Sequence, residues 1–164
     1  MSDFEAVYAK YQSFIFKFLL KLCRNNSLAE ELTQETFFRA YINFSKLRNS
    51  DRTAVWLCTI AKNSYFAWFN QQKNLLPLDV NISVDAMPSP ELLILEKELQ
   101  EEAYVQIHAL SEPYREVFIL AVFGGISLKD ISSSYGKSES WARVTYYRAK
   151  KKVAEGINRY QEKD

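Results

Sequence analysis

Three of the chain's four prolines fall in one stretch, "NLLPLDVNISVDAMPSPE", residues 74–91. Proline removes a backbone donor and biases the residue before it toward extended geometry, so no helix runs through Pro77, Pro88 and Pro90. The stretch also lacks a helical period, whereas on both sides of it apolar residues recur at steps of three and four. A length of 164 residues suffices for two very small domains. With only four glycines the chain is poorly suited to a sandwich or barrel, and no strand pair or internal repeat is visible. The expected fold is therefore all-α: a helical bundle over residues 1–74, a flexible acidic linker over 75–92, and a second helical module over 93–164.

Within the first module, helices are expected over residues 4–23, 28–44 and 55–72, with "RNNS" and "SKLRNSDRTA" as the breaks. The second of these carries an inward stripe of Ala29, Leu32, Thr33, Thr36, Phe37, Ala40 and Phe44. The third is apolar around most of its circumference at first and polar at its end. Beyond the prolines, a helix rich in Glu and Leu is expected over 91–110. Ser111 is placed to cap the next helix, which has Pro113 in its first turn and stops at Gly124 and Gly125. Ser127 with Asp130 forms a capping-box signal for a short helix ending near Gly136, and Ser138 caps a last helix that runs to about Arg159.

Charge is unevenly laid out. Residues 1–74 hold ten basic and six acidic side chains, residues 75–110 one and seven, and residues 111–164 ten and seven. Two basic blocks flanking an acidic strap suit a polyanion touched at two places. Cys23 and Cys58 lie in apolar helical stretches without a CxxC spacing and read as buried thiols. A single histidine, His108, leaves no zinc constellation, and no cofactor is implied. The acidic N-terminus is not a signal peptide, and Lys17 and Lys21 interrupt the longest apolar run, so a cytoplasmic chain with no membrane insertion is expected.

The pattern at the C-terminal end is a short capped helix, a glycine turn and a longer basic helix, the layout of a helix-turn-helix. On the last helix Ala142, Thr145, Ala149 and Val153 form a narrow seam of small residues facing inward. Ser140, Arg143, Tyr147, Lys150 and Lys151 fall on the other side. Arginine can bind guanine bidentately, while Lys and hydroxyls hold phosphates and set register.

The stretch "LSEPYREVFILAVFGGISLKDISSSYGKSESWARVTYYRAKKKV" resembles region four of extracytoplasmic-function sigma factors, promoter-specificity subunits of bacterial RNA polymerase. "AEELTQETFFRAY" followed by "WLCTIAKN" resembles their region two, and the two matches stand in the family's order over most of the chain. The resemblance implies that Glu31, Gln34 and Glu35 bind a coiled coil of the largest subunit of core RNA polymerase. It implies that Asn49, Ser50 and Asp51 line a pocket for a flipped base of the promoter −10 element, with Lys62 and Asn63 facing that DNA and Phe66, Trp68 and Phe69 available to stack. Arg143 and Val144 match positions that read the −35 element. Tyr147 and Arg148 contact bases or backbone nearby, beside Ser140, and Lys150 and Lys151 hold phosphates. The linker would thread toward the polymerase active centre, and an anti-sigma factor, often membrane-anchored, is the expected regulatory partner. The chain departs from the family at Ala67, often Asp, and at Asn70, Gln71 and Gln72, where Arg or Lys is usual, which implies a weaker backbone grip there. Ser132 stands for the usual Ala and Lys137 for an apolar residue.

Two other functions compete with this one. A stand-alone helix-turn-helix regulator would need no polymerase, and a simple dimerisation domain has no reason to carry the Glu31, Gln34, Glu35 face together with "WLCTIAKN". An enzyme is not expected, because no GxGxxG, P-loop, HExxH or GxSxG string is present and no small-molecule substrate is implied.

Overall fold

The computed structural model describes residues 3–47, 50–75, 90–93 and 95–163, and the expected linker falls, from 76 to 89, outside them. The protein is all-α and divides into two compact units, Met1–Met87 and Pro88–Asp164.

In the first unit, α1 (Asp3–Cys23), α2 (Asn26–Ile42) and α3 (Thr53–Leu75) pack on one another pairwise. Ile15, Phe18, Leu19 and Leu22 repeat on one side of α1 and are at most 1% exposed. The chain reverses in two residues: Arg24 takes a positive φ of 55°, and Asn25, in extended geometry, caps α2 by accepting from the Leu28 N–H at 2.9 Å. On α2 the buried residues are Ala29, Leu32, Thr36, Phe37 and Ala40, the centre of the expected stripe. Phe44 lies beyond the helix in a 3₁₀ turn, Phe44–Lys46, where its ring meets Phe4 edge-on at 5.6 Å. The α3 helix closes the core with Val55, Leu57, Cys58, Ala61, Tyr65 and Phe66. Burial pushes the Cys23 thiol up to about 11 and Cys58 up to about 12, so both are protonated at neutral pH.

The second unit holds α4 (Pro90–Leu93), α5 (Lys97–Ala109), α6 (Tyr114–Val122), α7 (Leu128–Ser134) and α8 (Glu139–Glu162). The single helix expected over 91–110 is broken. Leu95 N–H closes a turn on the Leu92 carbonyl at 3.0 Å, Glu96 is extended, and the Gln100 side chain donates to the Leu95 carbonyl at 2.8 Å. Leu92 is buried just before the break, so tertiary packing coincides with the interruption of a segment whose Glu and Leu favour helix. At α6 the expected Ser111 cap gives way to Glu112, whose carboxylate accepts from the Glu116 N–H at 3.3 Å and from Arg115 Nε at 2.9 Å.

The α8 helix packs against α5, α6 and α7, and its buried residues are Ala142, Thr145, Ala149, Val153 and Gly156. Both serine caps form: Ser127 Oγ accepts from the Asp130 N–H and Ser138 Oγ from the Trp141 N–H, each at 3.1 Å. Between them α7 ends in a Schellman turn, Lys137 N–H bonding the Ser132 carbonyl at 2.9 Å and Gly136 N–H the Ser133 carbonyl at 3.1 Å. The Tyr135 and Trp141 rings meet across the turn at 5.1 Å. Ser132 is buried and returns its hydroxyl to the Lys129 carbonyl at 2.8 Å.

Gly136 sits at φ +66°, and a Cβ added there would meet nothing within 4 Å. Gly136→Ala therefore carries a backbone cost alone, about 1–2 kcal/mol, and Gly136→Asn, more tolerant of this geometry, should lose less. Urea unfolding of the full chain followed by circular dichroism checks the order.

Candidate functional site

Three outward faces carry the residues singled out by sequence. The first is the side of α2 opposite its buried stripe. Glu31 and Gln34 are exposed there, and the Glu35 carboxylate accepts from Arg39 Nη2 at 2.7 Å. The same steps of three and four continue to Phe38, Tyr41 and Ile42, which are 65%, 65% and 61% exposed. The face is thus acidic over its first turns and apolar over its last. Phe4 packs edge-on against Tyr41 at 5.2 Å, which fixes the exposed ring. Phe38, Tyr41 and Ile42 are not among the residues expected on this face, because exposed and buried apolar residues look alike in a string. The spacing that sets Glu31 outward, carried two turns further, is the signal that finds them.

The second face belongs to α3 and the turn before it. Asn49 lies outside the described residues. Ser50 and Asp51 enter the 3₁₀ turn Ser50–Arg52, with Asp51 exposed. Asn63 is exposed on α3 in line with Ala67 and Asn70, and Trp56 is half-buried on the same side. Lys62 and Phe66 do not join them: they are 6% and 4% exposed. Because α3 packs on both α1 and α2, its buried arc is broad and takes in these two flanking positions, where the apolar stem of a lysine is tolerated. Phe66 and Phe69 instead gather round Tyr65, at 5.0 and 6.0 Å, with Trp68 at 6.0 Å.

The third face is the outer side of α8. Ser140, Arg143, Val144, Tyr147, Arg148, Lys150 and Lys151 are all exposed, opposite the buried seam. Arg143 Nη2 donates to Glu139 Oε1 one turn back at 2.9 Å. Lys150 lies over the Tyr146 ring at 5.5 Å, and Lys152, on the flank, over Tyr114 at 5.2 Å. An open groove beside the helix is lined by Tyr114, Arg148, Lys151, Lys152 and Glu155, three cations against one carboxylate. Such a surface suits phosphates better than an enclosed small molecule. Among the described residues no cluster of His, Cys, Asp and Glu could hold a metal ion, and no helix is long and apolar enough to cross a membrane.

Comparison with known proteins assigns both units. Residues 7–74 match Sigma-70 region 2, spanning almost all of α1 to α3, and residues 100–153 match Sigma-70, region 4, which includes α6, α7 and the seam of α8 as far as Val153. The ECF RNA polymerase sigma factor SigM of Bacillus subtilis is 28% identical over 163 residues, covering 94% of this chain and 95% of its own. The chain is an extracytoplasmic-function sigma factor. SigX of the same organism is 23% identical, covering 90% of this chain and 80% of its own. In fold, the protein is similar to the sigma factor RpoE of Bartonella quintana, with a TM-score of 0.59 at 22% identity over 96% of this chain and 98% of that one.

The Glu139–Arg143 pair has a consequence for how this sigma factor meets DNA. Both side chains are largely exposed, 45% and 62%, so the pair is worth at most about 0.5 kcal/mol. It orients the guanidinium without locking it, and it sets a negative charge on the outer face of α8. Glu139→Gln should strengthen binding of the full chain to random-sequence duplex at low salt and steepen the log–log salt dependence by about 0.9, one added phosphate contact. Fluorescence anisotropy over a salt series checks this; an unchanged slope means Arg143 is not restrained.

Proposed function

We propose that this sigma factor docks on core RNA polymerase through the outer face of α2 and directs it to a two-part promoter. Residues 1–74 hold the polymerase and engage the −10 element, residues 75–92 form the tether, and residues 93–164 engage the −35 element. The observation that carries the reading is the single stripe of Glu31, Gln34, Glu35, Phe38, Tyr41 and Ile42 directly opposite the core of α2. Large rigid aromatics beside charges are what interface hot spots are made of, and a water-facing helix gains nothing from three such apolar side chains.

The −10 contact is assigned to Asn49, Ser50 and Asp51 together with Asn63, while Lys62 and Phe66 support α3 from beneath. At the −35 element Arg143 and Val144 read bases, Ser140, Tyr147 and Arg148 contact bases or backbone beside them, and Lys150 and Lys151 hold phosphates. Neither contact is strong alone, but tethering makes the second one intramolecular. The free chain therefore binds duplex promoter poorly, and polymerase supplies the geometry. The protein acts in the cytoplasm as an initiation factor, and no reaction of its own is assigned. RpoE of Bartonella quintana was solved with the anti-sigma factor NepR. A comparable protein partner that covers the α2 face would silence this chain, and a membrane anchor on that partner would couple it to an outside signal.

Core RNA polymerase mixed with the full chain should co-elute with it in gel filtration. Glu35→Lys should lower the affinity at least tenfold, with the loss shrinking as salt rises. Phe38→Ala and Tyr41→Ala should each lower it by about tenfold or more at every salt concentration, as buried aromatic anchors do. Absence of co-elution by the unaltered chain contradicts the docking role.

A further inference from the structure

Within the outer face of α8, Val144 is an aliphatic side chain set among hydroxyls and cations. It is 47% exposed, one residue from Arg143 and one turn from both Ser140 and Arg148. On a helix that stays in water a lone exposed valine is ordinary. On a helix that enters a major groove it is not neutral, because it must lose its water against a base edge. The groove offers one apolar group, the C5-methyl of thymine. Purine edges and the cytosine amino group present a donor or acceptor at that depth, which valine would leave dry and unpaired at a loss of roughly tenfold in affinity, and the bare C5–H of cytosine lacks the methyl to fill the contact. In a helix valine holds essentially one χ1 rotamer, so it cannot swing aside as a lysine can.

We infer that Val144 is a specificity-determining residue that packs on a thymine methyl in the upstream promoter element, next to the base pair approached by Arg143. The inference rests on the reading of α8 as the DNA-facing helix and adds the identity of a base to it. Arg143 is drawn back along its own helix toward Glu139, so the neighbouring outward position is left to the short, stiff valine. Exclusion of pairs with a polar edge at that place contributes as much to the choice as attraction to the methyl.

The test uses holoenzyme reconstituted from core RNA polymerase and the full chain. A promoter duplex is first selected from a pool randomised in the upstream element, and its thymines are then replaced one at a time by deoxyuridine, which removes only the methyl. One position should lose about fourfold in binding, the worth of one buried methyl. Val144→Ala should abolish that loss at that position alone. Because the side chain is exposed, the melting temperature of this variant should match that of the unaltered chain. A selected element without thymine on either strand overturns the inference, as does a deoxyuridine penalty that persists undiminished in Val144→Ala. Arg143→Ala separates this from failure of the underlying reading. If it weakens upstream binding while deoxyuridine has no effect anywhere, α8 faces DNA and the thymine assignment falls. If Arg143→Ala leaves upstream binding unchanged, the reading of α8 itself falls.

Discussion

The close approach of α8 to its neighbours is the constraint on which the second unit depends. Ala142, Thr145, Ala149, Val153 and Gly156 line its inner side, and none carries more than three side-chain heavy atoms. At Gly156 the fit is tight enough that a Cβ would collide with the Gln106 side chain of α5. A narrow seam of this kind lets one helix pack on three others while keeping most of its circumference in solvent. The outer face is free for Arg, Lys and Tyr because the inner face needs so little volume. A larger residue in the seam would push α8 out and move every outward side chain with it.

The first unit solves the opposite problem. There α3 packs on two helices at once, so its buried arc is wide and, until Gln71 and Lys73 emerge near its end, its outward strip is Asn63, Ala67, Asn70 and the edge of Trp56. The α2 helix keeps a full outer side, and that side holds the apolar residues Phe38, Tyr41 and Ile42. On the function proposed, docking on polymerase and contact with DNA therefore fall to different helices of the same unit, and one can be covered by a protein partner while the other remains set for DNA.

Much of this was legible in the chain. The seam Ala142, Thr145, Ala149, Val153 could be read from its steps of three and four, and Ser127 and Ser138 from the residues that follow them, because caps and periodicity are local signals. The break between α4 and α5 could not, since "ELLILEKEL" is rich in helix formers and the interruption shows only in the turn at Leu95 and the extended Glu96. Lys62 and Phe66 were set toward DNA by their place in a motif, whereas the side a residue faces depends on how many neighbours its helix packs against. Phe38, Tyr41 and Ile42 went unread for a related reason: apolar character marks the core until the opposite stripe is shown to be the buried one.

Protein docking, DNA reading and the division of labour between the two units meet in one observable, the footprint on promoter DNA. Nuclease protection of a selected promoter, with the full chain alone and with the chain bound to core RNA polymerase, tests the account most directly. The account predicts no protection by the chain alone at physiological salt. With polymerase it predicts two protected segments, of which Arg143→Ala removes the upstream one. Strong protection by the chain without polymerase would contradict it and make the protein an independent DNA-binding regulator.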